Sequence, residues 1–450
     1  EEILEIPGRP GGIITKQHTT VRRLNIPVRV YKRGFDSLEE LEEDLAAWLV
    51  TDEPKPLEFD HKPNRVYYAK VTGELIFTEY PQWADGVISF ICPDPYKYGP
   101  ELEAIFPSDV VTLTNEGTTE AEPIFELEVK EPVTFAMIQN QDDEYMMIGK
   151  PIDELKNIPV KRYETILNDP LNSLVGWTEA DYVENGTVQG TMGAIDAFYG
   201  QSFGTPISKA FYGPAVKKSI SEVLTNFSVE VNVTFENAGN PNQAGRVEIY
   251  LLDTASNIIG KMTLMDTYSQ QIRTVGQVRI GDENINYYLI DFSGDRTASW
   301  TDFRGVLRIR KLENRWEAYV AKINSLGQHY AHKLVQWEDT NNYFTDKELA
   351  QIQIHIARWG LTDIPNMWVH HLKVEKINPI TENEVPYIAN PGDIITFDHK
   401  NADILINGES RMDLKQLGAS FFKLKPGENQ LVVTPDDSFD VKCRYRPTYL

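Results

Sequence analysis

An orphan strand constrains this chain more than any other feature. The stretch "NEGTTEAEPIFELEV" (Asn115 to Val129) reads as a polar turn, a proline and a strand opened by Ile124 and Phe125. Leu127 and Val129 continue its apolar side against Glu126 and Glu128. From about Ala104 to Ile152 the chain is β, but it holds too few strands for a sandwich. A second set, "DIITFDHKNADILINGE", "KLKPGENQLVVTP" and "FDVKCRYRPTYL", appears only after Pro391, and it too is short of a sandwich. Each set supplies what the other lacks, so the expectation is one β-sandwich split by a long insertion.

The sequence between the halves has a different character. Six of the eight tryptophans (177, 300, 316, 337, 359 and 368) lie between Asn168 and Asn378. Long alternating stretches fill the region. In "NFSVEVNVTF", Phe227, Val229, Val231, Val233 and Phe235 share one face. Many strands, period-two alternation, polar turns and little helix predict an antiparallel jelly roll. Ahead of the orphan strand, "SLEELEEDLAAWLV" carries a capping box, Ser37 and Glu40, and an apolar face of Leu38, Leu41, Leu45, Trp48 and Leu49. The surrounding pattern is β, which gives a small α+β unit. The expected division is 1–103 for that unit, 104–165 and 379–450 for the two halves of the sandwich, and 166–378 for the insert. The fold class is mainly β.

Charge and cysteine content bound the chemistry. A net charge of -23 repels phosphate backbones, so specific nucleic-acid binding is not expected. No apolar run reaches the length of a membrane span, and no membrane partner is expected. The two cysteines, Cys92 and Cys443, read as separate buried thiols rather than a disulfide framework. The chain opens abruptly at "EEILEIPGRPGG" without an initiator Met, as a trimmed or disordered start would.

Catalytic and metal signatures are thin. His329 and His332 stand alone without a second pair at zinc spacing, and His370 and His371 point to opposite faces of a strand. No phosphate loop or nucleophile elbow is present. Glu248 and Asp253 fall on opposite strand faces, which does not suit a glycosidase pair, and Glu179, Asp181 and Glu184 sit in a stretch read as loop. No catalytic residue, no metal site and no cofactor are assigned; a structural calcium ion is compatible with a jelly roll. The triplets beginning at Asn185, Asn226 and Asn232 are formal glycosylation sequons.

Saccharide binding is the sharper expectation, since sugars stack on aromatic rings while polar side chains take their hydroxyls. Leu307 and Ile309 mark a core face, leaving Arg308 and Arg310 on the other. Ile352, Ile354 and Ile356 likewise leave His355 and Trp359 outward, and Tyr319 opposes Trp316 and Val320. Arg308, Arg310, Tyr319, His355 and Trp359 form one candidate surface if their strands are neighbours. Trp177, Trp300 and Trp337 fall in stretches read as loops, where aromatics often serve binding. Trp177 and Trp300 join the candidates. Trp368 and Trp48 are read as core residues.

The motifs at the two ends resemble a known family. "EEILEIPGRPGG", "NEGTTEAEPIFELEV", "FFKLKPGENQLVVTP" and the ending "KCRYRPTYL" are similar, in that order, to the distal tail proteins (Dit) of long-tailed phages of Gram-positive bacteria. The resemblance covers about half the chain and departs from the family in two ways. A short segment ahead of the first motif is absent, and the sandwich is interrupted. It implies an N-terminal belt domain and a galectin-like β-sandwich split by an inserted lectin-like, concanavalin-like jelly roll, as in enlarged members carrying a carbohydrate-binding module. It also implies a homo-hexameric ring at the virion tail tip, made in the host cytoplasm. Its partners would be the tail tube protein, the tape measure, tail-associated tip proteins and host cell-wall polysaccharide. A polysaccharide-degrading enzyme with a lectin-like domain is the alternative.

Overall fold

A computed structural model describes all residues except 1, 6–11, 17–19, 32–37, 74–75, 154, 238, 268–269 and 295–298. Part of the opening motif and the capping residue Ser37 therefore lie outside the described residues.

The orphan strand has its partners where the pattern placed them. Strand Ile124–Val129 lies between Ile394–Asp398 and Phe439–Tyr445, antiparallel to both, with Phe125 opposite Phe397 and Cys443. The same sheet extends through Asp403–Ile406 and Glu409–Ser410 on one side and Leu102–Ile105 on the other. A second sheet runs Val110–Asn115, Gly427–Thr434, Phe135–Asn140 and Tyr145–Gly149. Their facing sides bury Phe125, Leu127, Ile138, Ile148, Phe397, Leu431 and Val433 in one core. Neither half could bury these residues alone, so the galectin-like sandwich closes only across the insertion.

The terminal motifs are the fasteners of this closure. Asn115 is buried, and its amide donates to Thr119 O and Leu424 O at 3.0 Å each while accepting from Gly117 N. Gly117 is required there because an added Cβ would lie 2.5 Å from Thr448 O. Asn429 closes the "KPGEN" turn by bonding Lys425 N and O, both at 2.8 Å. Beyond it, strand Thr448–Tyr449 leaves the sandwich and pairs with Lys97–Tyr98 in the N-terminal sheet. Arg446 ties the same junction through Gly99 O and Tyr68 Oη.

The N-terminal unit holds helix Leu38–Leu49 and a sheet that includes Arg22–Tyr31, Lys62–Val71 and Trp83–Cys92. Trp48, expected in the core, is 75% exposed. The covered side of the helix instead follows Leu45, Ala46 and Leu49, so Trp48 projects past its edge. Cys92 and Cys443 are both buried and unpaired, in different sheets. Burial raises both thiols above the usual range. Neither cysteine is expected to react with a thiol reagent until the protein unfolds, when both should; labelling of the native protein would contradict this placement.

The insert is a two-sheet sandwich. A front sheet runs Thr178–Glu179, Ala215–Leu224, Leu349–Trp359, Gly245–Leu252, Ile258–Asp266, Val275–Gly281 and Asn286–Phe292, with two short strands at its side. A back sheet runs Thr191–Ala194, Phe198–Ser202, Asn366–Ile377, Phe227–Glu236, Phe303–Leu312, Arg315–Ile323 and His329–Glu338, with Tyr163–Asp169 on Asn366–Ile377. Val229, Val231, Ile249, Leu307, Ile309, Trp316, Ile354 and Ile356 fill the space between. The chain leaves and re-enters the galectin-like sandwich side by side: Ile158–Val160 pairs in parallel with Glu384–Pro386. Adjacent ends let a whole domain be accommodated without disturbing the host sandwich.

Candidate saccharide-binding face

The two faces of the insert are not equivalent. Around Arg308, the outer side of the back sheet is covered by the hairpin Asp403–Ile406/Glu409–Ser410 of the neighbouring sandwich. Arg308, 3% exposed, makes a two-pronged pair with Glu409: Nη1 to Oε2 and Nη2 to Oε1, both 2.7 Å. It also bonds Glu230 at 3.2 Å and lies over the Tyr319 ring at 4.6 Å. Tyr319 bonds His329 Nδ1 across 3.0 Å, and His329 N donates to Gly408 O. Burial alone would raise the Glu409 carboxyl; Arg308 outweighs it and holds the group down at about 2.

The expected surface of Arg308, Arg310, Tyr319, His355 and Trp359 therefore does not exist. Arg308, Arg310 and Tyr319 stand on the back sheet, and His355 and Trp359 on the front. Strand alternation assigns each residue to the outside of its own sheet, but not two strands to one sheet. Arg308 and Tyr319 hold the insert against the neighbouring sandwich, while Arg310 stands at the end of the back sheet, paired with Glu317 at 3.1 Å. Trp300, read as a loop residue, is fully buried, with its indole N–H donating to Ala331 O at 2.7 Å. Trp177 is 8% exposed and donates to Asp169 Oδ2; its edge borders a shallow pocket with Glu179 and Asp181. Trp337 lies on a strand, stacked on Tyr287. Trp368 is outside the core beside Tyr199, because a bulge opposite Asn232 and Val233 shifts the register of its strand.

The outer side of the front sheet is built differently. Register places Arg246, Glu248 and Tyr250 beside Ala357, His355 and Gln353, with Lys261, Thr263, Gln277 and Arg279 following on the same face. Glu248 is 1% exposed and accepts from Tyr250 Oη at 2.7 Å and Lys261 Nζ at 2.9 Å, and pairs with Arg246 at 2.9 Å. His355 Nδ1 lies 2.9 Å from the same carboxylate. A carboxylate only accepts, so Nδ1 carries the proton of this neutral, buried ring. Burial works to raise the Glu248 carboxyl, yet Arg246, Lys261 and His355 together hold it well below the usual range. Lys261 also reaches Glu184 at 3.0 Å, and Arg279 clasps Glu184 at 2.6 and 2.8 Å.

Loops fold over this network and leave an opening. Gly186 passes so close that an added Cβ would lie 2.6 Å from Arg246 Nη2. The resulting pocket, about 430 Å³, has Arg246, Lys261, Thr263 and Arg279 in its floor and Trp359, Tyr288, Gln277, Lys209 and Asn185 around it. Thr263 Oγ is buried there with no hydrogen-bond partner. Trp359 is fixed edge-on against Phe211 at 4.7 Å. A locked ring, an unfilled hydroxyl and fixed cations suit a polyhydroxylated ligand, because the groups are oriented before it arrives. Arg246, Lys261, Thr263, Gln277, Arg279 and Tyr288 were not singled out from the sequence. The signal was present in "GRVEIYLLD", "GKMTLMD" and "GQVRIG", where polar residues recur every second position in the middle of apolar strands.

Among the described residues, no group of three or more His, Cys, Asp or Glu is placed to hold a metal ion.

Comparison with known proteins bears on both ends and on the insert. Residues 1–92 match the phage tail protein RIFT-related domain, and residues 368–449 match the C-terminal domain of the siphovirus-type tail component. The distal tail protein of Bacillus phage SPP1 is 29% identical over 119 residues, 26% of this chain and 47% of that protein. The chain thus spans about half the length of the curated relative it matches. Among solved structures, the CBM2 module of the evolved Dit of Lactobacillus casei BL23 phage J-1 aligns over 49% of this chain and all of its own, with a TM-score of 0.42 and 15% identity. The SPP1 Dit protein aligns over 33% of this chain and 63% of its own, with a TM-score of 0.31 and 23% identity.

Proposed function

We propose that this chain, whose two ends match models of siphovirus tail proteins, is a structural hub of the phage tail tip whose insert binds saccharide of the host cell wall. Residues 1–103 serve as the belt, 104–165 and 379–450 as the galectin-like sandwich, and 166–378 as the carbohydrate-binding module. The observation that carries the binding role is the pocket left open on the front face, with Trp359 and the unfilled Thr263 hydroxyl beside a fixed charge network. Of the residues proposed from sequence, Trp359 remains in the binding role, joined by Tyr288, Thr263 and Gln277. Six copies in a closed ring, contacting the tail tube and the tip proteins, would turn a weak site into a strong attachment.

Binding without cleavage is part of this reading. A glycosidase needs one carboxyl with a raised affinity for its proton and a second free to attack or to activate water. Glu248 is held in the opposite direction, and Glu184 is clasped by Arg279 and Lys261. The protein is therefore expected to retain purified wall polysaccharide without releasing reducing ends. Steady release that stops on replacing Glu248 with Gln would favour the hydrolase instead.

A further inference from the structure

A second pocket lies at one end of the back sheet, where the chain enters and leaves the insert. It measures about 440 Å³, and Arg162, Tyr163, Arg310, Arg315, Trp316 and Trp337 are among its walls. Its unsatisfied groups are all donors. Trp316 is 1% exposed, and its indole N–H has no hydrogen-bond partner. Arg162 Nε is buried and equally unpartnered. Arg315 stands exposed at the rim, opposite Glu338 in the ladder. Arginine and tryptophan side chains cannot accept hydrogen bonds, so only an acceptor can complete this set.

The carboxylates nearby are already engaged. Glu317 takes Arg310 at 3.1 Å and Gln336 at 2.9 Å, and Glu338 takes Asn314. Arg310 is steadied over the Tyr163 ring at 5.3 Å. In a chain of net charge -23, a hollow that gathers three arginines runs against the overall field. We propose that this pocket is a second binding site of the insert, taking the oxyanion, phosphate or carboxylate, of an acidic saccharide unit, with guanidinium groups on the oxyanion and the aromatic walls against the sugar ring. The site is independent of the front face, which lies on the other sheet.

The test is titration of the full chain with glucose 6-phosphate, glucuronate and glucose, read by calorimetry and tryptophan fluorescence. One or both acidic sugars should bind at millimolar concentration, and which of them does so assigns phosphate or carboxylate. Glucose should bind at least about tenfold more weakly. Added salt should weaken the acidic ligand, and the double variant Arg162→Gln/Arg315→Gln should lose it by about tenfold or more. Arg315 is exposed and Arg162 half-buried, with its Nε unpartnered, so the variant should unfold at nearly the same temperature as the parent. Trp359→Ala should leave this binding unchanged. Equal affinity for glucose, no response to either acid, binding retained in the double variant, or binding lost in Trp359→Ala would each overturn the proposal.

Discussion

Lowering the pH from 6.5 to 4 should cost the galectin-like sandwich about 3 kcal/mol, and His399→Leu should remove most of that loss. His399 is 5% exposed among Phe125, Phe421 and Phe422, and neither ring nitrogen has a hydrogen-bond partner. Burial lowers its pKa from 6.5 to about 4, against a weaker upward pull from Asp398. The sign follows from which state takes the proton first. Between pH 6.5 and 4 the unfolded chain binds a proton at this histidine and the folded protein does not, so acidification favours unfolding. Above 6.5 both states are neutral and the contribution is complete. Urea unfolding of parent and variant at pH 7 and pH 4.5 checks this. His329, His355 and His370 are also lowered by burial, so the parent's total acid sensitivity should be larger, and the difference between the two proteins isolates His399. Equal slopes with pH would contradict the buried, unpartnered ring.

Arg308→Ala should destabilise the protein by about 3–5 kcal/mol, the largest effect expected of any single surface-sheet substitution here. The loss comes less from the missing attraction than from Glu409, left as a carboxylate that is three-quarters or more out of water with its main partner gone. The double variant Arg308→Met/Glu409→Leu removes both charges and should recover most of the loss. Acid should act on the same contact. The Glu409 carboxyl, lowered from 4.5 to about 2, contributes stability that is present above pH 4.5 and is lost as the pH falls toward 2. Limited proteolysis around Pro379–Thr381 would show whether the single variant loosens the insert before the sandwiches unfold. A double variant no more stable than Arg308→Ala would contradict the pairing.

Much of the architecture was legible because strand pattern is local and closure is a counting argument. Two strand sets, each too small to bury Phe125 or Val433, had to meet, and the stretch holding Asn115 and Gly117 was read as a turn. The binding surface was less legible. Alternation assigned Arg308 and His355 to outward faces, but the distribution of strands between two sheets is set by long-range pairing that no local period encodes. Nor could it reveal that Arg308 would be covered by the hairpin bearing Glu409. Trp300 and Trp177 were read as binding candidates because they fall in stretches read as loops. In space each indole N–H finds an acceptor, Ala331 O and Asp169, which lets the ring be buried. Trp368 failed for a third reason, a one-residue bulge that reverses the facing of everything beyond it.

The central claim, that the pocket on the front sheet holds host saccharide, is tested most directly by cosedimentation of the full chain with purified cell walls of Gram-positive bacteria. Parent protein and Trp359→Ala should be compared in parallel, with soluble wall polysaccharide as competitor. The account predicts that the parent pellets with walls of its host, that the polysaccharide releases it, and that Trp359→Ala binds roughly thirtyfold more weakly, about 2 kcal/mol, while unfolding normally. Undiminished sedimentation of Trp359→Ala would contradict it.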